Sequence, residues 1–399
     1  MTEGRIKSGF PELSTLPWNL PLMEWEDSSV RLENLPRGLS RHTVVFINLE
    51  GMLLAVKELP AGLAEKEFHL LEDMERLHLP VVTPIGYYED RPGVRNSGAL
   101  ITRYLDRSLP YRSLFMSTSL VRYQQHLLDA IAGLLVQLHL AGVYWGDCSL
   151  SNTLFRRDAG ALQAYLVDAE TARIYKDLPA AERYDDLIVM EENIEGDLAD
   201  LSASNLIAAG VPVSDTGASI RLRYQRLWEE ITHEDIINPG EHYRIQERIR
   251  ALNDLGFSVG DVELAETQNG DQIRFSVVVT DRNFHHDQLQ TLTGIDAQER
   301  QARQMMNEIQ EVKATLSNRD NRSTPLSVAA YDWLQNIYLP ITGRLVQMKA
   351  DLGNASDKDL AELYCQLLEH KWYLSERARR DVGHQAATDD FLENIHNVN

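Results

Sequence analysis

Cysteine is nearly missing from this chain, which holds only Cys148 and Cys365 in 399 residues. Two thiols exclude a disulfide framework and a cysteine-rich zinc site. Long apolar runs are missing too. No stretch approaches the roughly 20 residues that a membrane span needs. The opening MTEGRIKSGF has no apolar signal core, so no membrane span and a cytoplasmic location are expected. The third absence is an excess of positive charge. Lys and Arg number 39 against 60 Asp and Glu, a formal net charge of −21. Residues 1–214 carry 19 basic and 30 acidic side chains, and residues 215–399 carry 20 and 30. Neither half is a basic module, and the acidity repels polyanions and anionic lipid. No nucleic-acid partner is therefore expected.

What is present reads as a globular chain too long for one core. Two domains are expected after an arm: 1–28 as a polar, proline-interrupted arm, 29–214 as a first domain and 215–399 as a C-terminal α+β domain. In the first domain VRLENL, VVFINL and MLLAVKEL predict three strands, with PRGLSRHT as a turn and Glu50–Gly51 as the second connection. AEKEFHLLEDMERLH predicts a helix with Phe68, Leu71, Met74 and Leu77 on one side, ending before Pro80. VVTPIGYYED and SGALITRYL predict two more strands. A strongly apolar helix over 121–141 follows, stopped by Gly142. ERYDDLIVMEENIEGDLADLSASNLIAAG is mostly helical, and a linker is expected near 211–219.

The second half changes character. EHYRIQERIRALNDLGF predicts a helix closed by Gly256. A hairpin is expected with Asn269–Gly270 at its type I′ turn, and with Ile273, Phe275, Val277 and Val279 on one face. Asp296 and Glu299 form a capping box ahead of a helix whose apolar stripe includes Met305 and Met306. Further helices are expected over 326–350 and 357–395. In EHKWYLSERARRD the plain reading is one helix with Trp372 packed and the charges in water; the other reading is a docking surface for a protein partner.

The residues that carry chemistry lie in the first half. Asp147 and Asn152 sit five apart in WGDCSLSNTLF, and Asp168 ends the apolar strand of YLVDAETA. Asn152 offers a neutral oxygen and Asp168 an anionic one, a pair suited to Mg²⁺. Asp147 can accept or orient the proton of an attacking hydroxyl. Lys57 ends the strand LLAVK and can meet phosphate as a compact cation. It needs a carboxylate to hold it. Glu67 is preferred because Phe68 beside it anchors the helix, with Glu65 and Glu72 as rivals. Gly38, Ser40 and Arg41, between the first two strands, can cover phosphates with backbone N–H groups and side chains. Turn-forming tendency alone would explain Asp147 and Asn152, but not the later Asp on an apolar strand. Cys148 reads as a small buried thiol and His139 as a core histidine.

This ordered set resembles the protein-kinase-like superfamily. Within it the likeness is to the atypical bacterial branch that includes the lipopolysaccharide (Kdo/WaaP-type) kinases and the aminoglycoside phosphotransferases. LLAVKEL, AEKEFHLLEDME, GALITRYL, GVYWGDCSLSNTLF and AYLVDAETARIY carry it, over about residues 28–210. The whole chain also resembles a bacterial family that joins such a half to a C-terminal domain of unknown function, through LNDLGF, LTGIDAQERQARQMMNEI and LEHKWYLSERARRDVG. The resemblance implies an α+β, bilobal fold with a small antiparallel-sheet lobe and a helical lobe, followed by a mostly helical domain with a β-hairpin. It also implies an ATP- and Mg²⁺-dependent phosphotransferase acting on a hydroxyl of a small molecule, sugar or protein.

In that reading Lys57 binds phosphate, Glu67 holds Lys57, Asp147 is the catalytic carboxylate, and Asn152 and Asp168 hold the metal. Residues Thr102 to Leu105, Tyr104 among them, meet adenine. Several departures stand out. Trp145-Gly146 replaces His-Arg, Ser149 replaces a lysine, Asp-Ala-Glu replaces Asp-Phe-Gly, and no Ala-Pro-Glu segment follows. They speak against phosphorylation-gated activity. They fit a constitutive small-molecule kinase, or a nucleotide-binding pseudokinase that acts as an adaptor through its C-terminal domain.

Overall fold

A computed structural model describes the chain apart from residues 1–2, 29, 36–40, 90, 117–123, 208–214, 239–240, 242, 267–272, 352–359 and 396–399. The chain divides into two compact units, Met1–Arg156 with Leu162–His233, and Arg157–Ala161 with Glu234–Asn399. The first unit runs on past residue 214, the boundary expected from the sequence.

The first unit opens with a five-stranded antiparallel sheet. Its strands are β1 (Glu3–Ile6), β2 (Val44–Leu49), β3 (Met52–Pro60), β4 (Pro84–Glu89) and β5 (Ser97–Arg103), with helix α1 (Leu63–Arg76) between β3 and β4. The spatial order is β1-β4-β5-β3-β2. Side chains alternate across a strand, so Leu54 and Val56 of β3 turn to one face and Ala55 and Lys57 to the other. The first face is buried under the arm, against Leu13, Leu22 and Trp25. The arm is therefore part of the core, and not the polar cover expected. It also supplies β1, which pairs with β4. Buried Arg91 ties it down, donating to the carbonyls of Trp18 and Leu20 and to Glu58. The strand expected at VRLENL is reduced to one bridge, Leu32 to Ile47.

Beyond the sheet come β6 (Leu109–Pro110), α2 (Tyr111–Met116), α3 (Gln124–Leu140), β7 (Val143–Tyr144), β8 (Thr153–Asp158), β9 (Ala161–Leu166), β10 (Arg173–Ile174), α4 (Ala180–Ala203) and α5 (Thr216–Thr232). α5 occupies part of the stretch expected as a linker. The small antiparallel lobe and the helical lobe of the expected fold are both present. Gly142, two residues past the end of α3, has φ +81°; a Cβ there would lie 2.2 Å from the Tyr175 carbonyl oxygen, so only glycine fits.

The second unit holds β11 (Asp235–Ile237), α6 (Tyr243–Asp254), β12 (Ser258–Glu266), β13 (Ile273–Asp281), α7 (Phe284–Thr293), α8 (Glu299–Asp320), α9 (Leu326–Trp333), α10 (Leu339–Asp351), α11 (Leu360–Ala378) and α12 (Gly383–Ile395). β12 and β13 form the expected hairpin, whose turn at Asn269–Gly270 lies outside the described residues. Met305, Met306, Ile309, Trp333 and Tyr364 are among its buried core residues.

Three expectations for this unit are corrected. The single helix expected over 357–395 is two from Leu360 onward, because Arg379 takes a left-handed φ of 52° that ends α11, and 357–359 lie outside the described residues. Trp372 is 58% exposed; Leu368 is the last side chain of α11 that packs on the core. The capping box at Asp296 and Glu299 does not form. Gln298 takes the cap position, its N–H donating to Gln301 Oε1 at 3.0 Å. Glu299 turns back to accept the His285 and His286 N–H groups at the start of α7.

The first turn of any helix leaves N–H groups without carbonyl partners. In α8 those of Arg300 and Gln301 donate to Asp158, at 3.2 and 3.0 Å. Asp158 is only 2% exposed. Burial pushes its carboxyl up to about 6, against the pull of those two N–H groups. A carboxyl whose folded pKa is raised binds protons more tightly folded than unfolded, so its contribution to stability falls as pH rises. We expect the wild type to lose on the order of 3 kcal/mol relative to Asp158→Asn between about pH 4 and pH 7. Urea melts across that range check this. Parallel curves for the two proteins would contradict it.

Candidate functional site

A cavity of about 630 Å³ lies in the first unit, lined among others by Arg41, Ala55, Lys57, Thr102, Tyr104, Asn152 and Asp168. The alternation of β3 delivers Lys57 to it. The Lys57 ammonium lies 3.0 Å from Glu67 Oε2 and 2.7 Å from Asp168 Oδ2. Its own burial works to lower its pKa, but attraction to Glu67 and then to Asp168 leaves it raised. Burial pushes the Glu67 carboxyl up to about 7 while Lys57 pulls it down.

The choice among three acids follows from helix periodicity. The buried positions of α1 are Ala64, Glu67, Phe68, Leu71 and Met74, one stripe at 3.6-residue spacing. Glu67 falls on that stripe and is 0% exposed. Glu65 accepts the Tyr87 hydroxyl instead, and Glu72 pairs with Arg5.

The loop bearing Asp147 is held from several sides. Gly146 has φ +77° and no room for a Cβ, which would meet the Tyr144 ring at 2.6 Å. Asn152 Nδ2 donates to Asp147 Oδ2 at 3.0 Å and to the Asp147 carbonyl at 3.1 Å. Spending the amide N–H groups there leaves Asn152 Oδ1 as its acceptor. The Val167 N–H donates to the Asn152 backbone carbonyl, and the Trp145 indole to the Asp168 carbonyl, which ties the loop to the strand end carrying Asp168. Arg41, 88% exposed, reaches Asp147 Oδ2 at 3.6 Å. Gly38 and Ser40 lie outside the described residues. Burial raises the Asp147 carboxyl, while Arg41 and Asn152 oppose it.

Helix α4 supplies three residues that the sequence reading passed over. Asp186 accepts the N–H groups of Trp145 and Gly146 at 2.7 and 2.9 Å. Asn193 Nδ2 donates to Asp147 Oδ1 at 2.9 Å. Asp197 accepts the Ser151 N–H at 3.1 Å. Their signal was available: an acid or an amide recurs along the helix beside the buried residues Leu187, Met190, Ile194, Leu198 and Leu201. His139 is the core histidine expected, contacting Asp186 through Nε2 and Tyr224 through Nδ1. Burial lowers its pKa, against the opposing pull of Asp186. The Cys148 thiol is fully buried, and burial raises it well above its ordinary value.

The described residues hold no cluster of three or more His, Cys, Asp or Glu fit for a metal. Among the oxygen donors that line the cavity, the Asn152 side-chain carbonyl and the Asp168 carboxylate are hard donors suited to a cation.

Residues 52–209 match the model of the lipopolysaccharide kinase (Kdo/WaaP) family. Residues 226–396 match a domain of unknown function, DUF4032. Among solved structures, WaaP in complex with acyl carrier protein is similar at 16% identity and a TM-score of 0.37, covering 63% of this chain and 98% of that one. No curated protein matches the chain. No helix among the described residues is long and apolar enough to cross a membrane.

Removing a buried acceptor strands the donors around it. We expect Asp186→Ala to cost at least about 3 kcal/mol of stability, about 1 or more for each stranded donor, because two backbone N–H groups and the His139 ring lose their shared acceptor. Its exposed neighbour Asp185 accepts the Tyr144 hydroxyl, and Asp185→Ala should cost about 1 kcal/mol. Denaturant midpoints of the two variants compare them. Equal losses would contradict the assignment.

Proposed function

From a bilobal kinase-like fold with a segment of the Kdo/WaaP kinase type, we propose that the chain is an ATP- and Mg²⁺-dependent phosphotransferase. Its acceptor is a hydroxyl on a small molecule, sugar or protein. One observation carries the reading: an ammonium held between two carboxylates faces the same cavity as an amide oxygen donor. Structural salt bridges have no need of a cavity of nucleotide size beside them.

Phosphoryl transfer asks for positioning and charge neutralisation more than covalent chemistry from the protein. Lys57, braced by Glu67, would meet the α- and β-phosphate oxygens, and Asp168 would be the carboxylate available to the metal. Asn152 and Asp168 hold Mg²⁺, which when bound screens the charge of the phosphates. The backbone of Thr102 to Leu105 meets the adenine edge beside the Tyr104 ring. Arg41 covers the phosphates. Asp147 orients the acceptor hydroxyl and takes its proton as the oxygen–phosphorus bond forms and the bond to the β–γ bridging oxygen breaks; ADP leaves.

We expect the full-length protein to transfer or release phosphate from γ-labelled ATP with Mg²⁺, and Asp147→Ala and Asp168→Ala each to lower the rate at least ~100-fold. An equal background rate in all three proteins would overturn the enzyme reading. ATP-induced thermal stabilisation without turnover would favour the pseudokinase adaptor instead.

A further inference from the structure

The geometry around Asp147 points to Asn193 as a positioning residue: we propose that its amide sets the plane of the Asp147 carboxylate so that Oδ2 faces the acceptor hydroxyl. The inference rests on the phosphotransferase reading and names a residue that reading does not use.

A carboxylate turns about its own side-chain torsions unless donors on independent mounts grip both oxygens. Asp147 has such a grip. Asn152 holds Oδ2 at 3.0 Å, and Asn193 holds Oδ1 at 2.9 Å. The two mounts differ in kind. Asn152 belongs to the same loop as Asp147 and moves with it. Asn193 projects from α4, whose neighbouring residues Met190, Ile194 and Leu198 are fully buried. The same amide also donates to the Cys148 carbonyl at 3.3 Å. One rigid group therefore reads both the side chain of Asp147 and the backbone just after it.

Without Asn193, the carboxylate would hang on Asn152 alone. The exposed Arg41 guanidinium, 3.6 Å from Oδ2, would then be free to draw it toward solvent. The residue type matters as well. A carboxylate at position 193 would face Oδ1 as a like charge, and a leucine would leave Oδ1 with no donor from α4. Small losses of orientation are expensive in this chemistry. A displacement of about 1 Å costs on the order of 100-fold in rate.

The experiment measures phosphate release from ATP and Mg²⁺, with water as acceptor, by the full-length chain. Asn193→Leu and the near-isosteric Asn193→Asp are each made in the wild type and in Asp147→Ala. We expect each to lower kcat by about 10- to 100-fold in the wild-type background. KM for ATP and the ATP-induced shift in Tm should be unchanged. In the Asp147→Ala background neither should lower the residual rate further, because the group being positioned is gone. Three outcomes overturn the inference alone: a kcat within twofold of wild type, an equal loss in both backgrounds, or a rise in KM with kcat preserved. An equal loss would mark Asn193 as a support of the fold. Absence of turnover in the wild type would instead sink the phosphotransferase reading, and the role of Asn193 with it.

Discussion

The ammonium of Lys57 between Glu67 and Asp168 is the contact on which the first unit depends. Three parts of the chain meet there: β3, α1 and the segment after β9. Moving a cation and two anions out of water is costly, and only close, hydrogen-bonded geometry offsets it. Glu67 shows the constraint most clearly. It has no exposure at all, and its carboxylate accepts from Lys57 and from the Ala169 N–H. Loss of the lysine would leave a buried acid uncompensated, so strand, helix and loop hold one another in place.

The same logic runs through α4. Polar side chains among the buried positions of a helix would weaken it unless each found a partner. Here each partner is part of the loop 145–151. Asp186 takes the two N–H groups before Asp147, Asn193 takes its carboxylate, and Asp197 takes the N–H of Ser151. A loop cannot supply its own rigidity, because its backbone groups have no ladder to satisfy them. The helix gives the loop both partners and a fixed frame. Asp158 plays a related part in the second unit, where one buried carboxylate satisfies the N–H groups that open α8.

Much of this is legible in the sequence. The strands that became β2 to β5, the helix α1 and the β12–β13 hairpin follow from side-chain periodicity, a local property. Pattern was silent about the arm. Trp18 and Trp25 stand among prolines with no helical or strand period, yet they pack as core. The capping box misled for a similar reason. Asp296 and Glu299 have the right spacing, but Glu299 found two N–H groups at α7, a competition that no local window contains.

Residue order and spacing alone identified Lys57, Asp147, Asn152 and Asp168 as the chemically distinctive groups, because strand ends and tight turns are written in short stretches of sequence. The tertiary structure set Glu67, the acid already preferred from its place beside Phe68, between Lys57 and the Ala169 N–H. It also decided that Asn193 and Asp186 grip the loop around Asp147, and that the arm is buried. The grip and the burial depend on contacts between residues 40 or more apart. Such contacts are selected by burial and by the need to satisfy every buried donor and acceptor at once, which no stretch of sequence can settle by itself.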